Sequence, residues 1–199
     1  MTSMVTPPLD LSRELGVALH AGRLAAAAIL ERYGTDAEVR YKTPIEPVTE
    51  ADMVADEILH RLILGEFPDD GWLSEESVND DLSRLRRDRV WLIDPLDGTR
   101  EFIARRPEFA VSIGLAVRGV PTLGVIVNPV TREAFYAQAG GGAFQELPGR
   151  PTERISANTV STLGDARFAV SRTEHRHGMF APFEHRLGLR VIGGMAHKL

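Results

Sequence analysis

Helical spacing of apolar residues governs the start of the chain, strand patterning governs its middle, and the end mixes the two. Leu11, Leu15, Ala18, Leu19, Gly22, Ala25 and Ile29 recur at three- and four-residue intervals. They predict a helix that Asp10 or Ser12 caps and Gly34 stops. Residues 1–8, with Pro7 and Pro8, read as a loose arm. Pro44 and Pro47 keep the next stretch extended. Thr49 is a natural N-cap with Asp52 in the first turn, and Met53, Ala55, Ile58, Leu59 and Leu62 predict the buried side of a second helix. Trp72 to Ser77 reads as a short strand that ends in the acidic pair Glu75 and Glu76. Residues 78–89 are polar, and Arg84, Arg86, Arg87 and Arg89 read as a solvated basic face.

Val90 to Ile93 is an apolar, buried-strand run, which Pro95 is expected to stop. Thr99 to Ile103 can open a helix. Then come strands at Phe109–Val117, Val120–Val127 and Glu133–Gln138, separated by turns at Arg118-Gly119 and Asn128-Pro129. Gly140 to Gly142 turns the chain into Ala143-Phe144-Gln145, completing an antiparallel meander. A break falls around residues 149–157. Beyond it, strands at Arg167–Val170 and Leu189–Ile192 flank a helical start at Ser171. The expected division is therefore residues 1–153 and 154–199, a helix-and-sheet unit followed by a smaller α/β unit.

Composition narrows the classes. Of 199 residues, 43% are hydrophobic and 26% charged, enough for a proper core. A net charge of −5 argues against a general nucleic-acid binder. The absence of cysteine excludes disulfides and thiolate metal sites. No apolar run spans a bilayer, and the N-terminus lacks a secretory pattern, so the expectation is a cytoplasmic protein without a membrane partner.

The chemistry gathers at Asp94-Pro95-Leu96-Asp97-Gly98-Thr99. Two carboxylates flank a bend, Gly98 permits close approach of a ligand, and a helix start follows. Carboxylates suit hard cations and a helix start suits an anion, which together point to metal-assisted chemistry on a phosphate ester. Taken alone, the same residues also make an ordinary turn. Asp52 either complements its own helix dipole or faces the bend. His175, His177 and His185 fit no metal-ligand spacing and read as surface residues.

Three segments shift the balance: Pro47-Val48-Thr49-Glu50-Ala51-Asp52, Leu73-Ser74-Glu75-Glu76-Ser77 and Trp91 to Phe102. In order and spacing they resemble the lithium-sensitive, magnesium-dependent phosphatase superfamily of inositol monophosphatase. The wording from Asp94 to Phe102, with Leu96 and Glu101, looks most like the 3′(2′),5′-bisphosphate nucleotidases. Ser171-Arg172-Thr173 is similar to a stretch on the nucleotide side of that subfamily, although Glu174 stands where a histidine usually follows. The resemblance implies a layered α/β (α+β) sandwich, with paired helices on an antiparallel sheet and then a smaller α/β half.

It also implies roles. Glu75, Asp94, Asp97 and the Leu96 carbonyl would hold Mg²⁺. Asp52 and Thr99 would orient the attacking water. Gly98 and Thr99 would hold the phosphate, with Ser171 and Lys198 on the substrate side. The implied reaction is hydrolysis of 3′-phosphoadenosine 5′-phosphate, a step linked to sulfate assimilation, with an inositol or sugar phosphate as the alternative. A different class of reading is a metal- or phosphate-binding scaffold without turnover. The family's second signature, Trp-Asp followed by two alanines, occurs nowhere in these residues. The expectation is thus a fragment or shortened chain, whose unfinished second sheet offers an edge for association such as a homodimer.

Overall fold

Small residues decide how the first helix packs. The computed structural model describes residues 10–35, 38–44, 46–77, 82–185, 188–194 and 196. Helix α1 (Ser12–Arg32) buries Ala18, Ala21, Gly22, Ala25 and Ile29 along one face. A Cβ on Gly22 would stand 3.1 Å from Val127 and 3.3 Å from Ile113, so glycine lets the helix lie close on the sheet. Leu11, not Asp10 or Ser12, takes the N-cap position and makes no side-chain cap. The Asp10 carboxylate instead accepts from the Ser12 backbone N–H at 3.1 Å.

Strands β1 (Val39–Thr43) and β2 (Glu46–Thr49) pair as an antiparallel ribbon. Helix α2 (Glu50–Glu66) follows and buries Ala51, Asp52, Ala55, Leu59 and Ile63. Met53, expected in the core, is 53% exposed. It lies two residues from both Ala51 and Ala55 and so turns away from the side they bury.

Among the described residues the main sheet has seven strands in chain order. They are β3 (Gly71–Ser74), β4 (Arg89–Asp97), β5 (Ala110–Val117), β6 (Val120–Val127), β7 (Ala134–Gln138), β8 (Gly142–Glu146) and β9 (Glu153–Ile155). β3 and β4 run parallel, and the other neighbours pair antiparallel. The α1–α2 pair covers one face, closing a core around Trp91, Phe109, Ile113, Leu115 and Val125. Pro95 does not stop β4, which runs on to Asp97. Pairing with β3 has ended at Ile93, and the pairing with β5 is irregular between Asp94 and Asp97, so a missing N–H at Pro95 breaks no regular ladder. β9, inside the stretch read as a break, pairs with β8 and straddles the expected boundary at 153/154. Strands β10 (Arg167–Ser171) and β11 (Gly188–Ile192) then form a separate parallel pair, with helix α4 (Arg172–Arg176) between them in sequence.

Arg89 is not part of a solvated basic face. Its guanidinium donates to Asp70 at 2.9 and 3.1 Å and to Glu14 at 2.8 Å, while the Trp91 indole N–H donates to Asp70 at 2.8 Å. This network ties α1, the turn before β3 and the start of β4. Asp70→Ala would leave a half-buried guanidinium with Glu14 alone and strand an indole N–H. It is expected to cost about 2–3 kcal/mol in urea unfolding, whereas a surface substitution costs under about 0.5. Among the described residues no helix is long and apolar enough to cross a membrane.

Candidate active site

The parallel register of β3 and β4 brings two acids together that lie far apart in sequence. Ser74 pairs with Ile93, so Glu75 and Asp94 leave the same end of the sheet side by side. The Glu75 backbone N–H donates to the Ile93 carbonyl at 3.1 Å and fixes that step.

Asp97 joins them through a bulge. Asp94 and Asp97 are three residues apart, which in a regular strand would point them to opposite faces. Their β5 partners, Ser112 and Ala110, are only two apart. The one extra residue in β4 turns both carboxylates to one side. Gly98 then takes φ +96°, and a Cβ there would crowd the Glu108 carbonyl and Phe109, each at 3.1 Å. Helix α3 (Thr99–Ile103) starts at once.

Asp52 reaches this bend from α2. It is 2% exposed, and one of its oxygens accepts from the Thr49 N–H at 2.8 Å and the Thr49 hydroxyl at 2.6 Å. The other lies 2.9 Å from the Thr99 hydroxyl. That hydroxyl is also 3.2 Å from the Leu96 carbonyl, and its one proton can go to either. Asp52 therefore completes its own capping box and also faces the bend. Burial pushes the Asp52 carboxyl above its ordinary value, against the hydrogen bonds from Thr49 and Thr99.

Asp94 is pushed well above the usual carboxylate range. Burial is the largest cause, followed by the charges of Glu75 and Asp97. Among the described residues no three His, Asp or Glu side chains close around one point as a ready metal cluster. The donors nonetheless suit a hard dication in kind. They are oxygens only, and the crowding of Asp94 with Glu75 and Asp97 is what a bound cation would relieve.

A cavity of about 270 Å³ opens over the bend. Glu75, Asp94, Leu96, Asp97, Gly98, Thr99 and Ser171 all line it. Ser171 also caps α4: its hydroxyl accepts from the Glu174 N–H at 3.1 Å, and the Glu174 carboxylate accepts from the Ser171 N–H at 2.7 Å. Glu174 thus has a structural use where a histidine was expected. Lys198 lies outside the described residues. His175, His177 and His185 are exposed, as expected.

Sequence reading missed several residues here. Lys42, on β1, donates to the Glu76 carboxylate at 2.6 Å and the Glu75 carbonyl at 3.1 Å, holding the acidic turn in place. The Ala196 N–H donates to Asp97 at 2.7 Å and the Gly193 N–H to Glu108 at 2.8 Å. Backbone contacts of this kind leave no side-chain signal in a sequence.

A helix pair on a mixed sheet, with carboxylates at the sheet's end, defines the layered sugar-phosphatase class of fold. Within that class the chain belongs to the inositol monophosphatase family, whose model matches residues 10–196. It is 37% identical over 193 residues to a histidinol-phosphatase of Chlorobaculum parvum, covering 96% of this chain and 68% of that protein. It is 40% identical over 126 residues to the 3′(2′),5′-bisphosphate nucleotidase CysQ of Salmonella typhimurium, covering 62% of this chain and 51% of that one. The IMPase of Thermotoga maritima superposes with a TM-score of 0.79 at 28% identity, over 92% of this chain and 69% of that one. The chain thus spans between about half and about two thirds of the length of these relatives.

Proposed function

We propose that this chain carries the catalytic bend of a metal-dependent phosphomonoesterase, with Mg²⁺ as the metal. Glu75, Asp94, Asp97 and the Leu96 carbonyl would hold the ion, which when bound neutralises phosphate charge and lowers the pKa of a coordinated water. The remaining work falls to the chain's own groups. With its proton given to Asp52, the Thr99 oxygen keeps lone pairs to accept from a water and orient it toward phosphorus. In its ionised form the buried Asp52 would hold Thr99 in that sense. The backbone at Gly98 and Thr99 would receive the phosphate, and Ser171 would meet the alcohol. The observation that carries this reading is the Asp52–Thr99 hydrogen bond, 2.9 Å across 47 residues, beside the carboxylate bend.

Two substrate readings rest on different observations. The wording from Asp94 to Phe102 and the CysQ relative favour 3′-phosphoadenosine 5′-phosphate, and with it sulfate assimilation. The histidinol-phosphatase relative, which covers more of the chain, favours a simple monophosphate ester, the class that also includes inositol 1-phosphate.

The test is phosphate release from 3′-phosphoadenosine 5′-phosphate, histidinol phosphate and inositol 1-phosphate, with Mg²⁺ and then with chelator. Release from at least one ester, lost on chelation, supports the proposal. Release that ignores the chelator refutes the metal role, and binding of Mg²⁺ without any release supports the scaffold reading instead. Lithium at millimolar concentration is expected to inhibit the Mg²⁺-dependent rate, and an indifferent rate would count against the proposed metal site.

A further inference from the structure

Asp52 has a counterpart one turn further along α2. Asp56 follows it by four residues, on the same face of the helix, and is half-buried. Its carboxylate accepts from the Ser74 hydroxyl, 18 residues away. Ser74 is 4% exposed and ends β3, directly before Glu75. The same hydroxyl accepts from the Glu76 N–H at 3.2 Å. Its proton thus goes to the helix and its lone pair to the backbone just beyond Glu75.

The backbone around Glu75 is held at each polar group. The Glu75 N–H donates to the Ile93 carbonyl at 3.1 Å, and the Glu75 carbonyl accepts from Lys42 at 3.1 Å. The Ser77 N–H closes the turn on the Ser74 carbonyl at 3.3 Å. The Glu75 side chain itself stays 55% exposed. A fixed backbone launches that side chain in one direction, which lowers the ordering cost of meeting a ligand. Through Ser74 and Asp56 the turn is tied to α2, and through Asp52 the same helix holds Thr99. Four residues advance about 6 Å along a helix, and that step spaces the two supports. An apolar pair at 56 and 74 would pack α2 against β3 equally well, so packing alone does not call for this polar one. We infer that Asp56 and Ser74 are positioning residues for Glu75, acting through the turn at residues 74–76 and not by touching the ion. The inference rests on the metal-dependent reading of the site.

The experiment is a calorimetric titration of Mg²⁺ into the chelated, dialysed chain and its variants, well below their melting temperatures. Ser74→Ala and Asp56→Ala should each raise the Kd for Mg²⁺ by about tenfold to a hundredfold, the usual cost of removing a support behind a metal ligand. The double variant should be no weaker than Ser74→Ala, because both changes act through one hydroxyl. Asp56→Asn should bind as the unaltered chain does, since its side-chain oxygen still accepts from Ser74. In turnover, Ser74→Ala should raise the Mg²⁺ concentration needed for half-maximal rate and leave kcat at saturating Mg²⁺ nearly unchanged. Unchanged affinity in a Ser74→Ala chain that melts cooperatively makes the pair a packing contact and overturns the inference. So do additive losses in the double variant, or an Asp56→Asn as weak as Asp56→Ala, which would mark an effect of charge. If Ser74→Ala does not melt cooperatively, Asp56→Ala against Asp56→Asn carries the same comparison. If the unaltered chain binds no Mg²⁺, the metal reading fails and takes this inference with it. Binding by the unaltered chain with no loss in the variants removes this inference alone.

Discussion

Asp94→Asn is expected to abolish Mg²⁺-dependent phosphate release while raising the melting temperature of the chelated protein. The two effects have one cause. Asp94 is buried beside Glu75 and Asp97, and this raises the free energy of its ionised form. Without a cation the folded chain must take up a proton to escape that repulsion, and this costs stability at neutral pH. Asparagine keeps the shape, removes the charge, and should add about 0.5–2 kcal/mol, as when other strained sites are relaxed. The same change removes a ligand. Disturbing only the supports of a ligand costs up to about a hundredfold, so losing the ligand itself should cost more. Melting curves with chelator and with Mg²⁺, beside phosphate release, check both signs. Mg²⁺ should stabilise the unaltered protein and leave the variant unmoved. A variant that melts lower in chelator would show that Asp94 serves the fold and not a cation.

Asp52→Asn is the second large effect. Here the fold should survive, because asparagine can still accept from the Thr49 N–H and hydroxyl through its side-chain oxygen. Turnover should fall by about a hundredfold to ten-thousandfold, the usual worth of a positioned acid–base group. The charged form of Asp52 is the one that accepts the Thr99 proton and leaves the Thr99 oxygen to meet a water. Burial raises the folded pKa of Asp52 above its ordinary value, so the active form is lost sooner as pH falls. The rate of the unaltered protein should therefore rise with pH through a midpoint above the ordinary aspartate value, and Asp52→Asn should abolish that limb. The stability sign is opposite. Ionising a group with a raised folded pKa costs stability as pH rises from its unfolded pKa to its folded one, so Asp52→Asn should not lower stability at neutral pH. Thr99→Val should match the loss of turnover and Thr99→Ser should restore much of it. If Thr99→Val were fully active, the hydroxyl would have no part in orienting water.

What the sequence disclosed follows the range of the interactions involved. α1 was legible because its apolar spacing is local, and so was the meander from β5 to β7, whose turns at Arg118-Gly119 and Asn128-Pro129 are written in the chain. The Thr49 cap and its Asp52 partner are three residues apart and could be read as a pair. The meeting of Glu75 with Asp94 depends on a parallel pairing that no local pattern reports. The common orientation of Asp94 and Asp97 depends on one extra residue in β4, which becomes visible only once β5 is in register. Pro95 misled for the same reason, since its effect depends on which neighbour needs its N–H. Arg89 and Arg172 were read as part of a charged face and as part of a motif. Their partners, Glu14, Asp70, Glu101 and Glu108, lie up to 75 residues away, and charge in a sequence does not name its counter-charge.

The most direct test of the central claim is a calorimetric titration of Mg²⁺ into the chelated, dialysed chain and into Asp94→Asn. The bend at Glu75, Asp94 and Asp97 predicts binding by the first and none by the second. Equal binding by both, or by neither, would contradict the assignment of these carboxylates to a metal.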